Sequence, residues 1–503
     1  MKKIIYICAF ILTGALASCN DFLEQSSPDK LTSDSFWRNK EDAEAGISAV
    51  YSQLEYAIDT YGFAEVKWPV EAYREDIVKL GSDAMNYPNW VELSTFTYTN
   101  GNSQFSSYWS NNYRGVSYAN QVLEKVVTIP EGNIDENYRK QVLNEAHFLR
   151  AYYNLKLILN WEQIIIRDKY ITSQADMNKA ISPRIDSWNF IVEDLKKATE
   201  LPEKYDADNV GRATRGAAYA YLGLTYLTRA YEEADQKQDY LNKAVEAFNN
   251  VKGYELVADF QSMFKGEKKN CPESIFELQF SMNDASGAFY KNALHNWIAC
   301  SELGGWDEII PSDILMTTFK SEGKIAKDGL YDKRLYHSIY FDDEYFNDGS
   351  GKIYGYDYQE LFKENRGKSA FHKFLPPTLE QMEDWASAIN IPLMRYANVL
   401  LMKAEALNEL GKTAEAISLI NQVRDVHGNM PAMKGSSKED VKKQIEHERI
   451  VEFPLENWRW YDLRRWGKLE QAMKDAGRTS FELSKHAFYP IPLSEINAND
   501  LVN

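Results

Sequence analysis

Residues 400–424, LLMKAEALNELGKTAEAISLINQVR, put small and large apolar residues on one face of a helix, a glycine at a turn, and a second such face behind it. Ala404 and Leu407 fall on the first helix, Gly411 at the turn, and Ala416, Ile420 and Val423 on the second. Positions three and four apart share a helix face. Small side chains therefore recur where two helices cross closely, and larger ones fill the space between crossings.

The arrangement repeats, and periodic repeats define an architecture before any single helix does. TRGAAYAYLGLTYL (214–227) supplies Tyr219, Leu222, Gly223 and Tyr226; LNKAVEAFNNV (241–251) supplies Ala244, Phe248 and Val251 with the same four-then-three step. WNFIVEDLKKATELP (188–202) offers Ile191, Leu195, Ala198 and a closing Pro202. This is the tetratricopeptide spacing, with one connection about nine residues longer than usual. Further helices are expected over 41–58, where Asn39 with Asp42 would cap the start, over 113–127 and over 138–159. Other stretches lack helical periodicity. Residues 61–109 hold eleven aromatics among Gly, Pro, Asn and Ser, and 281–306 and 331–374 are rich in Gly, Asn, Asp and Tyr. Loops of that length are usually functional or carry their own small structure. The expected fold class is mostly α: a tetratricopeptide-like helical scaffold with large, irregular, loop-rich insertions.

The chain opens with Lys2 and Lys3, then an apolar run from Ile4 to Ala17. A membrane-spanning helix needs about twenty such residues, whereas a secretory leader has an apolar core of about 7–15. Leu16-Ala17-Ser18-Cys19 resembles the bacterial lipobox, so residues 1–18 read as a lipoprotein leader, Cys19 as the lipidated residue and 19–35 as a polar tether. Multiple acyl chains hold stably at a membrane where a single one does not. Of four cysteines only Cys271 and Cys300 then remain for the fold, which excludes a disulfide framework. The formal charge is −17. Such acidity argues against nucleic acid and against adhesion to anionic lipid.

Catalytic signals fail on inspection. GKT at 411–413 would need a glycine at 406, which is Ala406, so it is no phosphate loop. GVSYA at 115–119 lacks the final glycine of a nucleophile elbow. DADNVG at 206–211 begins like a calcium loop, but Val210 and Ala217 occupy ligand positions. The seven histidines show no paired ligand spacing. No enzyme activity and no cofactor are expected; a surface glycosidase would need two carboxyls about 5–9.5 Å apart across a cleft.

CNDFLE after the leader, EAHFLRAYYNLKLI, IPLMRYANVLLMKAEALNELG, ERIVEFPLENWRWYDLRRWG and the closing FYPIPLSEI together resemble the RagB/SusD family of Bacteroidetes outer-membrane nutrient-uptake lipoproteins. The matches run in family order from Cys19 to Ile496. The resemblance implies one large helical domain over 36–503, with repeat helices at about 137–251 and 393–470 and an irregular lobe at about 255–392. It implies a lipid-anchored place on the outer membrane facing the cell exterior. There a SusC-like TonB-dependent β-barrel would receive captured oligosaccharides. In ENWRWYDLRRW the aromatics and arginines read as core and paired surface rather than ligand contacts. A second reading, a lipid-anchored repeat scaffold of outer-membrane assembly that binds peptide, accounts for the helices but not for the aromatic-rich insertions.

A pyranose shows an apolar C–H face that stacks on Trp or Tyr and a hydroxyl rim that needs polar partners. Four residues in the insertions suit that chemistry: Asn86 and Trp90 in SDAMNYPNW, Tyr290 in ASGAFYKN, and Trp306 after two glycines in GGWDE. Each is an expected glycan contact; simple loop packing is the competing role.

Overall fold

The computed structural model describes residues 36–56, 62–281, 291–349 and 351–502. Cys19, the tether and Tyr290 lie outside them.

The first long helices are α1 (Lys40–Ser52), α2 (Ser103–Lys125), α3 (Glu136–Asn160), α4 (Arg184–Ala198), α5 (Arg215–Glu232) and α6 (Lys237–Asn249). After an inserted lobe come α7 (Tyr396–Glu409), α8 (Thr413–Gly428), α9 (Lys438–Glu452) and α10 (Arg459–Arg465). Short polar side chains set the starts by accepting from otherwise orphaned backbone N–H groups. Asn39 caps α1 through Asp42 N, as its sequence suggests, and Asp135 caps α3 through Asn137 N and Tyr138 N. Ser437 and Asp440 form a reciprocal capping box on α9. Asn102 caps α2, which therefore starts ten residues before the helix expected from residue 113. Phe105, Tyr108 and Trp109, all buried, keep the three-and-four spacing of a helix face, but the Gly, Asn and Ser around them give the stretch an irregular composition.

Consecutive long helices pack side by side from α2 through α6; α6 then packs on α7, and α7 on both α8 and α9. The lobe is thus a long excursion out of one continuous helical array. Crossings are close where the sequence is small. A Cβ at Gly223 of α5 would lie 2.3 Å from the Phe248 ring of α6, and one at Gly115 of α2 would lie 2.5 Å from Tyr153 of α3. Ala404 and Ala416 are fully buried on α7 and α8. Gly411 takes φ of +79° at the turn between them, a conformation glycine adopts without steric cost.

The inserted segments are not plain loops. Among the described residues, three two-stranded antiparallel sheets staple separate stretches: β1 (Val78–Leu80) with β3 (Ile309–Pro311), β2 (Ser274–Leu278) with β6 (Ile391–Arg395), and β4 (Ile339–Tyr340) with β5 (Ala370–Phe371). GVSYA lies inside α2, and the DADNVG stretch holds a short turn in which Asp206 accepts from Asn209 N. Cys271 and Cys300 are buried free thiols. In ENWRWYDLRRW, Trp460 is buried, Arg459 pairs with Asp76 and Arg465 with Glu405.

Where the lobe meets α8 and α9, a buried ion network takes the place of apolar packing. Arg395, at the end of β6, bonds Glu273 at 2.5 Å, Glu452 at 2.9 Å and Glu456 at 2.7 Å. Arg334 of the lobe holds Asp332, Glu448 and Glu452. Between Glu273 and Glu452 sits His427 of α8, whose Nε2 and Nδ1 lie 3.0 and 2.9 Å from their carboxylate oxygens. Burial opposes charge on the ring, but the charges of Glu273 and Glu452 outweigh it and raise its pKa to about 9. His427 is therefore an imidazolium at neutral pH, donating from both nitrogens.

Two predictions follow from this packing. Gly223→Ala, a change that favours an exposed helix, should here lower stability by about 1–3 kcal/mol through overpacking against Phe248; thermal denaturation measures it. The second concerns His427, whose unfolded pKa is about 6.5. Its contribution is complete below that pH and is lost as pH rises through its folded value of about 9. The stability gap between the native protein and His427→Gln should thus be widest near pH 6 and narrow toward pH 10. Paired melting curves at the two pH values would show a constant gap if His427 were neutral.

Candidate functional site

Sheet pairing brings two aromatic-rich insertions together. β1 and β3 pair in the register Val78↔Pro311, Lys79↔Ile310 and Leu80↔Ile309. Just beyond, Gly81 N donates to Glu308 O at 3.0 Å. A Cβ at Gly81 would fall 1.6 Å from Asp307 O, so the two backbones approach as only glycine permits. On one side the chain continues through a short turn, Ala84–Asn86, into a helix, Pro88–Thr95, opened by a proline at its first position. On the other side, the helix Leu294–Ile298 leads to Gly304 and Gly305. Gly305 packs against Ala299 O so tightly that a Cβ would lie 2.2 Å away, and Trp306 N then donates to Asn296 O at 2.7 Å.

The result is a run of aromatic rings. Tyr87 lies on Trp90 with centroids 4.0 Å apart; Trp90 meets Trp297 at 5.0 Å, and Trp297 meets Trp306 edge-on at 5.7 Å. Tyr73 closes the base, 6.0 Å from Trp90, and its hydroxyl accepts from Trp297 Nε1 at 2.7 Å. Tyr87 is 44% exposed, whereas Trp90 is 4% exposed. Gln104, with its amide turned to satisfy both contacts, accepts from Trp90 Nε1 at 3.0 Å.

Of the expected contacts, the structure brings Trp90 and Trp306 into one cluster and sets Asn86 at its edge. Asn86 is exposed and donates to Asp83 Oδ1 at 3.1 Å. Trp306 is half-buried. Trp90 is a supporting ring and not an open face, because the helix Pro88–Thr95 turns it inward beneath Tyr87. Sequence reasoning missed Tyr87, which stands between Asn86 and Pro88 and takes an extended conformation before the helix, as a residue preceding proline favours. It also missed Trp385, 48% exposed, whose carbonyl accepts from Asn296 of the Trp297 helix at 2.7 Å. The signal for Trp385 was a lone tryptophan in a stretch without helical period.

Carboxyl groups rim the cluster. Glu308 is buried; burial first, then the neighbouring Asp83 with which it hydrogen-bonds, raises its pKa to about 8. One carboxyl of the pair is therefore protonated at neutral pH. Two carboxyls in direct contact leave no room between them for a scissile sugar linkage. Asp307 and Glu302 share Lys368, at 2.5 and 2.8 Å.

A separate carboxylate–imidazole group, Glu273, His427 and Glu452, has the composition of a metal site. Its chemistry does not fit one. Both imidazole nitrogens are engaged as donors, and Arg395 together with the His427 imidazolium already balances the two glutamates, whereas a metal needs a neutral ring with a free lone pair.

Among the described residues no helix is long and apolar enough to cross a membrane. A SusD family model matches residues 272–503, and a second, described as starch-binding associating with outer membrane, matches residues 21–227. SusD-like protein P38 of Formosa agariphila is 26% identical, over 92% of this chain and 91% of its own. A SusD-like protein of Bacteroides ovatus is 25% identical, over 91% and 81%. Among solved structures, a SusD superfamily protein from Bacteroides vulgatus superposes with a TM-score of 0.81 at 28% identity, covering 93% of this chain and 99% of its own. A laminarin-binding SusD-like protein superposes at 0.74 with 22% identity, covering 93% and 99%. With two models of one family accounting for both halves and the fold shared along nearly the whole length, the chain belongs to the SusD/RagB family.

Proposed function

We propose that this protein is a non-enzymatic, cell-surface glycan-binding lipoprotein that captures oligosaccharides and passes them to a SusC-like TonB-dependent barrel. The observation that carries the reading is the aromatic run from exposed Tyr87 to half-buried Trp306, braced from below by Trp90 and Trp297. Stacking needs an open ring face held rigidly, and the two buried indoles supply the rigidity. Asn86 and Asp83 at the edge supply amide and carboxylate partners for sugar hydroxyls. The name of the second family model and the laminarin binding of a protein with this fold support the same ligand class. Anchoring through Cys19, delivery to the barrel and an outward-facing position rest on the lipobox-like sequence and on family membership. Tyr290, in the insertion at 281–306, stays a proposed contact.

Burying about 60–80 Å² of apolar surface per stacked ring contributes on the order of 1.5–2 kcal/mol. Two or three rings with a few hydrogen bonds then give roughly millimolar to micromolar affinity, weak enough for release to a transporter.

A glycan array with the purified protein tests the reading directly. Binding to oligosaccharides supports it; a blank array together with tight peptide binding would favour the scaffold alternative. Once a ligand is in hand, Tyr87→Ala should weaken binding roughly tenfold, by about 1.5 kcal/mol, while the melting temperature barely moves. Trp90→Ala should instead destabilise the fold by about 3–5 kcal/mol, as large-to-small changes of buried aromatics do. Titration calorimetry and thermal denaturation on the same two variants separate the roles.

A further inference from the structure

The charges around the aromatic run bear on which glycans it can accept, an inference that rests on the glycan reading above. The Tyr87 hydroxyl lies in the field of Asp83, Glu308 and Glu65. Asp307 follows Trp306 directly in the chain, and Glu302 sits close by, joined to it through Lys368. Lys368 is thus already held by two carboxylates, and among the described residues no lysine or arginine pairs with Asp83 or Glu308. Two carboxylates share the one ammonium of Lys368, and Asp83 has no lysine or arginine partner among the described residues, so the rim is net acidic even with Glu308 protonated.

We propose that this face selects uncharged oligosaccharides and rejects those bearing uronate or sulfate groups. A neutral pyranose brings hydroxyl donors, which a carboxylate rim can accept. A uronate or sulfate brings only further acceptors at that position, and like charges brought together at a binding surface suppress the wrong partner. The formal charge of −17 adds a longer-range repulsion of polyanions, which salt screens. The local term, held by partly buried groups, survives screening better than the global one.

The test is an array containing neutral glucans, mannans, xylans and galactans beside alginate, polygalacturonate and chondroitin sulfate oligosaccharides, probed at low and at physiological salt. The expected hits are neutral glycans at both salt concentrations. In Asp83→Asn, the ratio of uronate to neutral-glycan affinity should rise about tenfold, a 1.4 kcal/mol relief of repulsion. Glu302→Gln, which leaves Lys368 with one carboxylate, is the second variant and should move the ratio the same way; circular dichroism checks that both fold. Preferred binding of an acidic glycan by the native protein, or an unchanged ratio in the variants, would overturn the selectivity while leaving glycan capture intact. A blank against neutral and acidic glycans alike would remove capture itself, and the selectivity with it.

Discussion

Glu452 is the point through which the two parts of this molecule hold together. Its carboxylate receives Arg334 from the lobe, Arg395 from the end of β6 and His427 from α8. It is fully buried, so none of these charges can retreat to water. A buried ion network is a poor source of net stability, because desolvation offsets most of the Coulomb gain. Removing one member is nevertheless costly, about 3–5 kcal/mol, since the partners are left charged in a low dielectric. The consequence is geometric. An apolar interface tolerates small slides, whereas a lattice of bonds at 2.5–3.0 Å between four segments fixes one seating of the lobe on the helices.

That seating matters because the aromatic run depends on it indirectly. β2 and β6 join the lobe to the array at the ion network, and β1 with β3 joins the N-terminal insertion to the lobe. Each link is a short ladder, and short ladders need support from their surroundings. Tyr87 and Trp306 come from segments more than two hundred residues apart in the sequence, yet belong to one chain of ring contacts. The scaffold supplies rigidity and the insertions supply chemistry, a division that lets binding faces vary while the helical array stays constant.

The helical scaffold was legible because its signal is local. The spacing of Ala404, Leu407, Ala416 and Ile420, and of Gly223 with Phe248, is written within one or two turns of helix. At Phe105 to Trp109 the helical spacing is present, but it sits among Gly, Asn and Ser that read as loop, and the start of α2 was missed. The ion network was not legible at all: Glu273, His427 and Glu452 are separated by 154 and 25 positions, and only the packing of α8 against the lobe brings them together. The candidate site was half legible. Tryptophans beside glycine and proline marked the insertions whose rings cluster, but which ring faces outward is decided by where the helix begins. Tyr87 precedes the helix and stays outside, whereas Trp90, three residues on, is turned inward by the first turn, and no periodicity in so short a helix reveals that.

The central claim is that these insertions form a sugar-binding face on a helical frame, and a crystal structure with a bound oligosaccharide addresses it most directly. The account predicts a pyranose ring lying against Tyr87 or Trp306, its hydroxyls within hydrogen-bond reach of Asp83 or Asn86, with Trp90 and Trp297 unmoved beneath. A sugar seated elsewhere, such as the cleft of about 720 Å³ lined by Tyr205, Arg212 and Tyr254, with the Tyr87 face empty, would contradict it.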